Sequence, residues 1–416
     1  MKQTNPPVEI LSEFPKIISV DDHVVEPPNL WTDRLPAKYH EEGPRVIRGR
    51  AYPDELAAAT NGGSYDYSKA FTDDPSAPEI DSWVYEGTIV PNIRLGSAAG
   101  FSRDEMIAYP ITFDGMRPGC YDPVARMKDM DSAGIEASLC FPNMFVRFCG
   151  QRFLHAKDKD LAKLSVEAYN DWIIDEWTAG SSGRLVPLAI VPMWDPELAA
   201  AEVHRVRARG VNQICFSENP TKLGLPSIYT DHWDPFFRAC DETQSVLQVH
   251  IGSSSSMPTT SDDAPAAVGN TLTFVNAAGS ILDWIFSGRL ATYPNIDLSF
   301  AEAQAGWLPY VLERADVVFD YNRAWNNASS ALTLPPSEMF RERMYACVFE
   351  DAHGLRCLDE IGADNVVFET DYPHADSTWP ECREVAERLT KDLSDLNRWK
   401  VLRGNAIRML KLELPY

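Results

Sequence analysis

The chain has 416 residues, of which 44% are hydrophobic and 24% charged. That length fits one α/β barrel with insertions as well as two domains, and the composition is that of a globular protein. Lys and Arg number 38 against 61 Asp and Glu; the net charge of −23 repels a phosphate backbone or an anionic membrane surface, so neither nucleic acid nor a membrane is expected as partner.

The eight cysteines are scattered, with no C-x-x-C pair, which predicts buried thiols in a reducing compartment. Residues 1–7 lack the apolar core of a signal peptide, and no window of 18 apolar residues occurs. A soluble cytoplasmic protein is expected.

Along the chain, residues 17–22 form the first apolar run of strand type. From about 33 to 120 the sequence is rich in Gly, Pro, Asp, Ser and Tyr and has little helical period. A long excursion after a first strand predicts a lid, here with Tyr65, Tyr67, Phe71, Trp83 and Tyr85 to supply apolar or aromatic walls. Helical period covers 122–133, 161–177, 197–209 and 234–242. Between and after these stretches come strand-like runs at 137–142, 185–192, 211–217, 246–251, 296–302, 344–349 and 366–370, and a smaller insertion is expected at about 320–337.

These runs are continuously apolar rather than alternating, as strands covered on both faces are. Alternating strand and helix implies a parallel sheet, and about eight units suggest a TIM (β/α)8 barrel. Residues of metal-ligand type favour a barrel over an open sheet. Asp21 and His23 end the first run, His250 the fifth, Glu302 the sixth, and Asp371 follows the last. Strand ends so far apart in sequence converge only at the mouth of a barrel.

Strand residues i and i+2 share a face, so Asp21 and His23 are expected to point together and Asp22 away. Glu26 lies just beyond, before Pro27-Pro28, and is either a further ligand or a solvated loop carboxylate. Glu302 at a strand end is costly to bury without a cation or hydrogen bonds. Asp371 and His374 flank Tyr372-Pro373, a tight segment suited to aiming both inward. Asn143 and Trp307 are candidate substrate contacts, and Arg126, Arg147 and Arg152 are candidates to meet an anion. His40, His155, His204, His232 and His353 sit in loop-like or helix-like contexts and are not expected to be ligands.

The segments 20–28 (VDDHVVEPP), 249–253 (VHIGS), 301–310 (AEAQAGWLPY) and 370–374 (TDYPH), with 130–135 (MDSAGI) and 141–143 (FPN), resemble the amidohydrolase-related family of metal-dependent barrel enzymes over about residues 17–410. The resemblance implies a single barrel domain spanning the chain, and commonly a homo- or heterodimer with a homologous chain. It implies a divalent metal, zinc or manganese, held by Asp21, His23, His250 and Asp371. The decarboxylases of that family carry a His-Gly-Gly stretch where this chain has Glu302-Ala303-Gln304.

The carboxylate at that position, with Glu26 and His374, supplies ligands for a second metal in a mixed carboxylate and imidazole set suited to iron or manganese. The leading expectation is accordingly the family's dinuclear branch: an iron or iron–manganese monooxygenase that hydroxylates a C–H bond of a small organic acid or acyl thioester, using O2 and an external electron donor. A mononuclear decarboxylase or hydrolase, with Glu302 or His374 as general acid or base, is the alternative. A metal-bearing partner subunit without turnover is the third.

Overall fold

A computed structural model describes residues 8–11, 13–52, 71–326, 332 and 334–414. Among the described residues there are eleven strands: β1 (Ile17–Val24), β2 (Arg45–Arg50), β3 (Glu79–Tyr85), β4 (Thr88–Pro91), β5 (Ile135–Pro142), β6 (Leu185–Val186), β7 (Gln213–Ser217), β8 (Val246–His250), β9 (Asp297–Ala301), β10 (Met344–Val348) and β11 (Val366–Phe368). Eight of them pair in parallel, in two arcs ordered β1-β5-β6 and β11-β10-β9-β8-β7.

Short links connect the arcs on both sides. Ala189 bridges to Ile214 beyond β6, while Asp371 N–H donates to Asp21 O at 2.9 Å and His23 N–H to Tyr372 O at 2.6 Å beyond β11. The architecture is a TIM-barrel-like α/β fold. The expected strand at 185–192 contributes only two ladder residues, because Pro187 and Pro192 have no N–H to donate.

Every residue of β1, β7, β8, β10 and β11 is buried, which accounts for their unbroken apolar character. Helices cover the sheet between strands. Helix Pro123–Ala133 starts where Asp122 accepts from Ala125 N–H at 2.7 Å and ends at Gly134 with φ +77°; helix Pro196–Arg207 starts with Asp195 capping and Pro196 in its first turn. Residues 161–177 form α-helix Lys159–Trp172 followed by a π-helical turn at Ile173–Trp177.

The excursion after β1, expected as a lid, carries strands that sequence reading did not assign. Its described part holds an antiparallel sheet, β2-β3-β4. Trp83 and Tyr85 do not form pocket walls; they pack into an aromatic core with Trp31, Phe145 and Phe153, Trp83 stacking on Phe145 at 4.8 Å. Tyr65 and Tyr67 lie outside the described residues. Within the span expected for the smaller insertion, about 320–337, helix Leu308–Asn326 runs through residue 320 and helix Pro336–Arg343 begins, while 327–331 and 333 lie outside the described residues.

Candidate metal centre

The strand ends bring their ligand-type residues to one point. β1 carries an extra residue against β5: Ser19 pairs with Ser138 and Asp22 with Cys140, so three steps along β1 match two along β5. Such a bulge re-aims side chains. Asp21 and His23 face inward, and Asp22 turns the other way to receive Ser19 Oγ at 3.0 Å, Thr370 Oγ1 at 2.6 Å, Tyr372 N–H at 3.0 Å and Ser138 Oγ. Asp22 thereby fastens β1 to β5 and to the segment after β11.

His23 Nδ1 lies 3.4 Å from Pro142 O and His250 Nδ1 2.5 Å from Ile251 O. Carbonyls only accept, so these contacts place the ring protons on Nδ1 and leave both Nε2 lone pairs inward. The two Nε2 atoms are 3.2 Å apart. Asp21 Oδ2 is 3.4 Å from His250 Nε2, and Asp21 Oδ1 and Asp371 Oδ1 are 3.6 and 3.5 Å from His23 Nε2. Ligands about 2.1 Å from an ion and about 90–110° apart stand about 3.0–3.4 Å from one another. Two of the observed spacings, 3.2 and 3.4 Å, fall in that range, and the two to His23 Nε2, 3.5 and 3.6 Å, lie just above it.

Two overlapping groups result: Asp21, His23, His250 and Glu302, and His23, Glu302, Asp371 and His374. They share His23 and Glu302. His374 stacks on His23 at 3.7 Å and sets Nδ1 3.0 Å from Asp371 Oδ1, with Nε2 buried and without a hydrogen-bonded partner. Phe148 stacks on His250 at 4.1 Å and closes the imidazole pair on its other side.

Both oxygens of Asp21 and of Asp371 are buried without hydrogen-bonded partners. Burial, with Glu369, Glu302, Asp371 and Asp22 adding repulsion, raises Asp21 well above the usual carboxylate range. Burial likewise raises Asp371, and raises Glu302 with help from Asp371. Burial pushes His250 down to about 3 and holds His23 and His374 below the ordinary imidazole value. Carboxylates so crowded, facing neutral imidazoles, fit a divalent cation, which the orphaned Asp21 oxygens and the inward Nε2 atoms are placed to hold.

Other expected site residues are placed elsewhere. Glu26 is buried but belongs to neither group; it accepts Asn143 N–H at 3.0 Å, and burial lifts its carboxyl to about 7. Asn143 spends its side chain on Gly96 O at 2.8 Å and Met144 N–H at 2.7 Å. Arg126 meets no substrate space: it is buried behind β1, donating to His23 O at 2.5 Å and Gly119 O at 2.7 Å. Arg147 and Arg152 also stay out of the wall of the cavity beside the centre.

Sequence reading assigned no role to Glu369. It is fully buried, accepts Glu302 N–H at 3.2 Å through Oε2, and leaves Oε1 without a partner. Its signal was the same i, i+2 spacing, to Asp371, that singled out Asp21 with His23.

Beside the centre opens a cavity of about 580 Å³, within the size of small-molecule sites. Glu302 lies in its wall with Phe148, Phe274, Gln304, Trp307 and Phe349. Trp307 is fixed by Nε1 donating to Ala303 O at 2.7 Å.

The family model described as Amidohydrolase matches residues 45–412, and the chain belongs to that family. A gamma-resorcylate decarboxylase of Rhizobium radiobacter is 25% identical over 317 residues, covering 69% of this chain and 86% of that protein. Among solved structures, an amidohydrolase from Mycobacterium avium subsp. paratuberculosis aligns with a TM-score of 0.67 at 20% identity, covering 95% of this chain and 99% of the other. The 5-carboxyvanillate decarboxylase of Novosphingobium aromaticivorans, solved with manganese, aligns with a TM-score of 0.62 at 18% identity, covering 95% and 96%.

These relatives overturn the expectation of a dinuclear iron oxygenase. Proteins named as decarboxylases match over most of the chain. Among the described residues no helix is long and apolar enough to cross a membrane.

Proposed function

We propose that the protein is a divalent-metal-dependent decarboxylase of a small aromatic acid, working with one manganese or zinc ion. The reading is supported most by the inward Nε2 atoms of His23 and His250, 3.2 Å apart beside the unpartnered carboxylate of Asp21, at the edge of a cavity with aromatic walls. Asp21, His23, His250 and Asp371 would hold the ion. When bound, it supplies positive charge that orients the substrate carboxylate and an adjacent oxygen.

The chain's own residues supply the rest. Loss of CO2 breaks a C–C bond whose electron pair stays on the ring carbon, and a proton must reach that carbon. Glu302 stands between metal centre and cavity, where burial raises its proton affinity, and it would deliver the proton to the substrate carbon. His374, 3.0 Å from Asp371 through Nδ1, is placed to return a proton to Glu302. Phe148, Phe274, Trp307 and Phe349 keep water from the ring. Glu302 has φ +54°, a conformation costly for a residue with a side chain, which the surrounding structure maintains.

We further read the strands as one closed barrel in a single domain, with the β2-β3-β4 sheet in its lid. The test is the Glu302→Gln variant, loaded with manganese and supplied with hydroxybenzoates. Turnover should fall by about 10²–10⁴-fold with metal content unchanged. Loss of metal together with turnover would make Glu302 a ligand and remove it as proton donor.

A further inference from the structure

The charge distribution around the cavity carries a consequence for which acids it admits. Among the described residues of its wall there is no Lys or Arg, but four carboxylates: Glu302, Glu350, Asp351 and Asp376. Two of them are compensated within the protein. Glu350 is paired with Arg388 at 2.7 Å. Asp351 accepts Ala305, Gly306 and Gly354 N–H, each at 2.7 Å.

Asp376 is different. It is exposed in the cavity wall, and among the described residues no cation pairs with it. Gln304, also in the wall, has a buried side-chain oxygen without a partner, a neutral group to meet a substrate hydroxyl or amine.

We propose that the cavity selects a singly anionic substrate, whose one carboxylate goes to the metal centre and whose far end is neutral or cationic, and that Asp376 is the residue that rejects a second negative charge. This rests on the decarboxylase reading for the site that takes the first carboxylate. A ligand bearing two carboxylates must bring the second against an unpaired like charge with no Lys or Arg in the wall to offset it. Repulsion of this kind sets specificity by excluding the wrong ligand rather than by tightening on the right one.

The test is calorimetric binding of a monohydroxybenzoate and of its analogue with one added ring carboxylate to the manganese-loaded protein. The wild type should bind the dicarboxylate at least about tenfold more weakly, equivalent to about 1.4 kcal/mol. Asp376→Asn should close that gap and Asp376→Lys should reverse it. Glu13→Gln, which removes an exposed carboxylate outside the cavity wall, should leave the gap as it is and so separates the local charge from the net charge of the protein. Equal binding of both acids by the wild type, a gap unchanged in Asp376→Asn, or binding of neither acid overturns the proposal. Preferential binding of the monoacid without release of CO2 would sink the decarboxylase reading and leave the charge selection standing.

Discussion

At the scale of single residues, the tautomers of two histidines define the centre. His23 and His250 each spend Nδ1 on a carbonyl and present Nε2 to Asp21. Asp21 therefore has its inward partners only when a cation lies between them. Asp21→Asn should lower manganese affinity by more than the roughly 10–100-fold that outer-shell partners of a ligand are worth, measured by competition with a chelating dye. Unchanged affinity would place the ion elsewhere.

The inward pair Asp21 and His23 was legible from i, i+2 spacing, and Asp22 as their outward neighbour with it. Glu26 was not, because its direction is set after the strand ends, by Asn143 on another strand end. Arg126 was misread for a similar reason: its acceptors, His23 O and Gly119 O, are backbone atoms that no sequence pattern reports.

At the scale of elements, the junction of β1, β5 and the segment after β11 is held by one carboxylate. Asp22 gathers Ser19, Thr370, the Tyr372 amide and Ser138 in a buried setting. Asp22→Ala leaves these donors unpaired and should cost about 2–3 kcal/mol in urea unfolding, with a loss of metal affinity because Asp21 and His23 lean on the same strand. An unfolding midpoint equal to wild type would show that the junction is held by packing alone.

The parallel strands were readable because burial on both faces leaves an unbroken apolar run, as in β1, β7 and β8. β2-β3-β4 was not. Its strands are short, interrupted by Gly49 and by the Glu86-Gly87 turn, and one strand, β2, has no buried residue, so composition there looks like loop. The extended run at 185–192 misled in the opposite sense, since prolines conceal from hydrophobicity alone that the ladder is broken.

At the scale of the whole molecule, the centre couples metal binding to stability with a definite sign. Asp21, Glu302, Glu369 and Asp371 are raised in the metal-free fold. Their contribution is complete below the unfolded carboxylate values of about 4 and is lost as pH rises through the folded ones. His23, His250 and His374 are lowered, so theirs is complete above about 6.5 and is lost as pH falls towards the folded values, about 3 for His250.

Metal requires deprotonated carboxylates and neutral imidazoles together, a state reached by raising pH. Manganese should therefore raise Tm more at pH 8 than at pH 5.5, and by an amount equivalent to about 2.7 kcal/mol at a hundredfold excess over Kd. Scanning calorimetry at both pH values checks this, and a larger gain at pH 5.5 would contradict it.

The central claim is the reaction itself. The most direct measurement follows CO2 and substrate together when the manganese-loaded protein is given a series of hydroxybenzoates under argon. Release of one CO2 for each acid consumed, with oxygen absent, is the predicted result. Turnover that appears only when oxygen is admitted, with hydroxylated product and no CO2, would contradict it.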